Sequence, residues 1–181
     1  MKILGLSGSL RKGSFNTAAL RAAQELVPAG SSLTIARIDD LPHYDDDVRV
    51  AGYPEPVQRL RAEIAAADAV VFATPEYNYS ISGVLKNAID WASRAPDQPF
   101  NEKPVAIMGA SMGILGTARA QYQLRQMLVF LNAFPINKPE VMIGQAQTKF
   151  DAEGHLTDAP TREFIAKMLE ALVDWAARIK R

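Results

Sequence analysis

The chain has 181 residues, twenty Lys and Arg against twenty Asp and Glu, two His and no Cys. A zero net charge offers no footprint for nucleic acid and no acidic face for docking by charge, and the lack of cysteine excludes disulfides, thiolate catalysis and Cys metal sites. With 48% hydrophobic and 22% charged residues, the composition is that of an ordinary globular protein, expected to form one domain over 1–181.

No basic, apolar leader precedes the first strand, and no apolar run approaches the ~18 residues of a membrane span. A cytoplasmic protein with no membrane partner is expected. Two histidines make a His-rich metal centre improbable, and no metal site is assigned.

The apolar run at 2–6 reads as a buried strand, and apolar residues at helical spacing fill 17–27. Between them lies Leu6-Ser7-Gly8-Ser9-Leu10-Arg11-Lys12-Gly13-Ser14-Phe15-Asn16. A small-residue loop between strand and helix sets backbone N–H groups and a helix N-terminus against a phosphate. Ser7, Ser9, Arg11, Ser14 and Asn16 add side-chain donors. A Walker loop is excluded, because Ser14 and Phe15 stand where Lys and Ser/Thr belong. A dinucleotide fingerprint is excluded too, because Ser9 is not the Gly two residues after Gly8. A cradle for one phosphate monoester remains; the bland alternative is a Ser/Gly turn with a solvated Arg-Lys pair.

A turn at 28–31 leads to a second strand at 32–38. The polar stretch 39–52 reads as a loop, with Asp45, Asp46 and Asp47 solvated rather than gathered on a metal, and His43 at the surface. Pro54 opens a helix to about 67, and the continuous apolar run 69–73 is the mark of a strand covered on both faces. Pro75-Glu76-Tyr77-Asn78-Tyr79 then leaves the strand end, and Ser80 or Ser82 caps the next helix. Two tyrosines, a carboxylate and an amide there suit a flat heterocycle; the alternative is a turn with tyrosines packed on neighbouring helices. Val84, Leu85 and Trp91 on that helix serve either core or subunit interface. A fourth strand at 104–108 runs into Gly109-Ala110-Ser111-Met112-Gly113-Ile114-Leu115-Gly116-Thr117. A helix at 118–131, a fifth strand at 139–143, a solvated loop at 145–158 with His155, and a closing helix at 161–180 complete the chain.

Strand and helix alternate five times, which predicts an α/β fold with a doubly wound parallel sheet of order 2-1-3-4-5. That order brings the loops after strands one, three and four to one edge.

These three stretches, with Leu85-Lys86-Asn87-Ala88-Ile89-Asp90-Trp91 and Ala118-Arg119-Ala120-Gln121-Tyr122, resemble the NAD(P)H-dependent FMN reductase family, its bacterial chromate/quinone reductases above all. The resemblance spans nearly the whole chain. It implies a flavodoxin-like fold, bound FMN, NADPH or NADH as co-substrate, and a homodimer or homotetramer with flavins near subunit interfaces. It sets the FMN phosphate on Ser9, Arg11, Ser14 and Asn16, with Phe15 beside it and Gly13 in the loop. It sets the ribityl chain and ring edge against Pro75, Glu76, Tyr77, Asn78 and Tyr79, and the pyrimidine end near Ser111 and Gly113. Ser82 replaces a usual Pro, and Thr117 a frequent Gly, with Thr117 expected to narrow the loop. The implied reaction is a ping-pong passage of hydride from NAD(P)H through FMN to a quinone, azo dye, chromate or free flavin. The flavin carries that chemistry, so no catalytic acid, base or metal is assigned. Backbone N–H groups over 109–113 are expected to favour the reduced ring's anionic edge. Two other classes remain: a flavodoxin-like electron shuttle and a non-catalytic nucleotide-binding module.

Overall fold

Successive side chains of a strand point to opposite faces of its sheet, so a continuous apolar run belongs between two helical layers. The computed structural model, which describes residues 1–179, has that arrangement. Strand β1 (Lys2–Ser7) lies between β2 (Ser32–Ile35) and β3 (Ala69–Ala73), and β3 pairs with β4 (Pro104–Ala110), all parallel. Leu4 stands opposite Thr34 and Val70, and Val70 opposite Val105.

The fifth position differs in detail from the single strand expected at 139–143. β5 (Phe134–Pro135) pairs with the start of β4, and β6 (Val141–Ile143) with its end. Pro135 and Pro139 bound the excursion between them, and neither has an N–H to give a ladder.

Helices α1 (Phe15–Leu26) and α6 (Ala159–Ile179) cover one face, where Ile3, Val71 and Met108 meet Leu20, Ile165 and Leu169. Helices α3 (Glu55–Ala66), α4 (Gly83–Ala92) and α5 (Ala118–Phe130) cover the other. There Leu4, Val70, Phe72 and Ile107 meet Leu60, Leu85 and Leu124. Phe72 and Phe100 are fully buried with ring centroids 6.1 Å apart; each such burial stabilises by about 1.5–3 kcal/mol.

Three expectations are corrected, and one open alternative, core or interface for Trp91 and Leu85, resolves to core. The stretch 39–52 is not all loop, because α2 (Asp46–Ala51) forms behind the Asp45 cap, whose side chain accepts from the Asp47 N–H. Asp46 pairs with Arg49 and Tyr44, so the three aspartates diverge instead of converging. The stretch 145–158 is not a solvated loop: Ala146, Phe150 and Leu156 are buried, and Phe150 bridges to Leu156. Trp91 and Leu85 are core residues at 0% exposure, and the Trp91 indole donates to the Pro42 carbonyl at 2.8 Å. The second strand stops at Ile35 rather than 38. Lys180, expected to end the last helix, lies outside the described residues. Among the described residues, no helix is long and apolar enough to cross a membrane.

Candidate functional site

The loops after β1, β3 and β4 leave the same edge of the sheet, beside the point where the strand order reverses. In open α/β sheets ligands bind at this kind of crevice.

The first loop turns at Gly8. Its N–H donates to the Ala73 carbonyl at 2.8 Å, and a Cβ there would meet Pro75 Cδ at 2.8 Å, so only glycine fits. Ser14 caps α1 by accepting from the Thr17 N–H at 3.2 Å. The N–H groups of Phe15 and Asn16 find no acceptor among the described residues. Ser9 and Ser14 are buried, while Arg11, Lys12 and Gly13 are exposed. The Arg11 guanidinium stands 5.5 Å from the Phe15 ring centroid, and Phe15 in turn packs on Phe150 at 5.2 Å.

The second loop closes as a two-residue turn. Tyr77 and Ser80 exchange backbone hydrogen bonds of 2.9 and 3.0 Å, and Asn78 and Tyr79 between them have φ of 51° and 67°. Asparagine tolerates that conformation, but a bulky tyrosine is strained in it. Two contacts from α5 hold Tyr79 in place. Gln123 donates to its carbonyl at 3.0 Å, and the Arg119 guanidinium lies 4.1 Å from its ring centroid. Tyr77 and Tyr79 are both exposed, and Tyr79 keeps these contacts with α5.

The third loop is wired to the end of the sheet. Ser111 donates its N–H to the Ile143 carbonyl and its hydroxyl to the Gly116 carbonyl, and the Gly113 carbonyl accepts from Gln145. β4 itself runs on to Ala110, so Gly109 is a strand residue and not a loop donor. Thr117 is fully buried and faces Gly109, where a Cβ would overlap both the Thr117 hydroxyl and the Thr74 carbonyl. Thr117 therefore fills space behind the loop and does not narrow it.

Three side chains clamp the loops pairwise. The Ser82 hydroxyl donates to the Gly8 carbonyl at 2.6 Å and accepts from the Leu85 N–H at 3.2 Å, joining the first loop to α4, the helix that follows the second. The Asn16 amide donates to the Ala110 carbonyl at 3.0 Å and accepts from its N–H at 2.8 Å, joining the first turn of α1 to the end of β4, where the third loop begins. The Glu76 carboxylate accepts from the Arg119 and Ala120 N–H groups at 3.0 and 3.1 Å and from the Arg119 guanidinium at 3.3 Å. It joins the second loop to the helix after the third. The Asn16 side chain is thereby committed to Ala110, and the Glu76 side chain caps α5. The electrostatics follow: a carboxylate already occupies the positive end of α5, whereas among the described residues that of α1 keeps two free N–H donors beside Arg11 and Lys12, which form no ion pair there. A dianionic phosphate suits α1.

Residues 1–148 match NADPH-dependent FMN reductases. The chain belongs to the NADPH-dependent FMN reductase family. This FMN reductase is 59% identical over 180 residues to an NAD(P)H-dependent FMN reductase of Pseudomonas aeruginosa, covering 99% of this chain and 97% of that one. It is 47% identical to a quinone reductase of Escherichia coli, covering 99% and 97%. The flavoenzyme FerB of Paracoccus denitrificans, an NAD(P)H:(acceptor) oxidoreductase, superposes with a TM-score of 0.88 at 38% identity, covering 98% and 97%. The chain is thus an oxidoreductase that uses FMN and NAD(P)H with a small-molecule acceptor. The donor set suits FMN: two helix N–H groups without an acceptor among the described residues, a buried serine pair and the exposed Arg11 guanidinium are the donors a monoester phosphate needs.

Proposed function

We propose that this FMN reductase oxidises NADPH or NADH and reduces a quinone or similar flat acceptor in ping-pong order, as one flavodoxin-like domain over 1–181. The observation that carries this is the α1 N-terminus, whose first N–H groups find no acceptor among the described residues and which Asn16 ties to the end of β4. The Phe15 and Asn16 N–H groups, the Ser9 and Ser14 hydroxyls and the Arg11 guanidinium bind the phosphate. Phe15 packs beside it, and Gly13, with open space where a Cβ would stand, lets the loop wrap close. Pro75, Tyr77, Asn78 and Tyr79 border the ribityl chain and ring edge, while the Glu76 side chain acts from behind by fixing α5. Ser111 and Gly113 border the pyrimidine end. When bound, FMN supplies two-electron chemistry, accepting a hydride equivalent from the nicotinamide and yielding it to the acceptor. An open edge shared by both substrates favours sequential visits. No side chain is required as acid or base.

Azo dyes, chromate and free flavin are further acceptors of the same class. The setting is cytoplasmic, and the working form is a homodimer or homotetramer without nucleic acid or membrane. Zero net charge fits a reductase of small molecules better than a shuttle that docks to proteins by charge.

An anaerobic visible spectrum tests the proposal. Yellow absorbance should bleach with NADPH or NADH and return with benzoquinone, and initial-rate plots should give parallel lines. Bleaching by dithionite alone would point to an electron shuttle; intersecting lines would refute ping-pong order. Arg11→Ala should weaken FMN binding at least tenfold, since a charge-assisted bond is worth about 1.5–3 kcal/mol. Unchanged affinity would remove Arg11 from the phosphate site.

A further inference from the structure

The clamp between Ser82 and Gly8 has a directional effect. Gly8 must be glycine, because Pro75 Cδ and Leu85 Cδ2 lie 2.8 and 3.2 Å from where a Cβ would stand. Glycine, however, leaves the following peptide plane free to rotate. The Gly8 N–H is fixed by the Ala73 carbonyl at 2.8 Å, and the Gly8 carbonyl by the Ser82 hydroxyl at 2.6 Å. Across a planar trans peptide, C=O and N–H point in opposite directions. Fastening the Gly8 carbonyl towards α4 therefore turns the Ser9 N–H away from α4. Among the described residues that N–H meets only the Ser7 hydroxyl, at 3.5 Å, the outer limit of a hydrogen bond, so it remains an available donor.

We propose that Ser82 is a positioning residue for the phosphate of FMN, acting through the Gly8–Ser9 peptide to aim the Ser9 N–H. This rests on the assignment of the phosphate to the first loop. Ser82 is 2% exposed and touches no solvent path of its own, and its hydroxyl is fully used, donating to Gly8 and accepting from Leu85.

The test compares FMN with riboflavin, which has the same ring and ribityl chain but no phosphate. Full-length protein, reversibly stripped of flavin, is titrated with each by fluorescence quenching. Ser82→Ala should raise the Kd for FMN about five- to tenfold, the scale of one hydrogen bond. It should leave the Kd for riboflavin within twofold. Ser82→Pro, which suits the start of a helix but lacks the hydroxyl, should give the same split. A parallel weakening of both flavins, an unchanged FMN affinity, or failure of both variants to fold would overturn the assignment. If the unmodified protein binds FMN no more tightly than riboflavin, the phosphate site itself is wrong. If it prefers FMN and the variants do too, to the same degree, only the role of Ser82 falls.

Discussion

Replacing Glu76 separates the two kinds of bond it makes. Its carboxylate, 12% exposed, accepts from two α5 N–H groups and from the 42% exposed Arg119 guanidinium. Glu76→Ala orphans both N–H groups, one of them half-buried. The loss of a helix cap costs about 1 kcal/mol, and an unsatisfied buried donor about 1–3 kcal/mol. The exposed pair with Arg119 adds under about 1 kcal/mol. Glu76→Ala should therefore cost about 2–3 kcal/mol. Glu76→Gln keeps an acceptor oxygen and loses only the charge, costing about 1 kcal/mol. Arg119→Ala leaves both N–H bonds and should cost about 1 kcal/mol or less, the cation–π contact with Tyr79 included. Urea titration of flavin-free protein reads these as midpoint shifts, about 1 M for the alanine variant at an unchanged slope. A Glu76→Ala cost below about 0.5 kcal/mol, or one matched by Glu76→Gln or Arg119→Ala, would refute the capping role.

Three further outcomes follow from the site. Gly109→Ala should destabilise by about 1–3 kcal/mol or more, and adding Thr117→Ala should recover only part of it, because the Thr74 carbonyl is backbone and cannot yield; full recovery in thermal melts would contradict this. Asn16→Ala strands the buried N–H and carbonyl of Ala110 and should cost about 2–4 kcal/mol by chemical denaturation, whereas a loss below about 1 kcal/mol would mean water replaces the clamp. Hydrogen bonds from Arg49, then Tyr44, hold the Asp46 carboxyl down at about 2 against an ordinary 3.8. The depressed value makes the anchorage of α2 complete above 3.8 and lost as pH falls through about 2. An NMR titration of the Asp46 carboxyl carbon with a midpoint at the ordinary value would disprove the pairing.

What the sequence revealed depended on how local each signal was. The run 69–73 is β3 to the residue, because an uninterrupted apolar stretch is itself the condition for burial on both faces. Three donor-bearing loops at strand ends, the first and third rich in glycine, were legible from their local composition. The use made of particular polar side chains was not. Asn16 finds its partner 94 residues away, and Glu76 finds its own 43 and 44 away. Their chemistry marked them as ligand contacts, but backbone groups brought close only by the fold claim them first. Ser82 was visible as a cap; its bond to Gly8, 74 residues back, was not. β5, two residues long, is too short for any periodicity. Phe150 and Leu156, six residues apart in a polar stretch, give no pattern before the fold packs Phe150 on Phe15.

The division of labour around the edge has an evolutionary reading. Ser82, Asn16 and Glu76 each serve two distant segments at once, so change at any of them loosens both segments it joins. Leu10, Met112, Ile114 and Leu115 crowd the same rim with exposed side chains, Ile114 at 82%. Substitution among these four leaves every clamp intact. A library confined to them explores new surfaces at little cost in foldability.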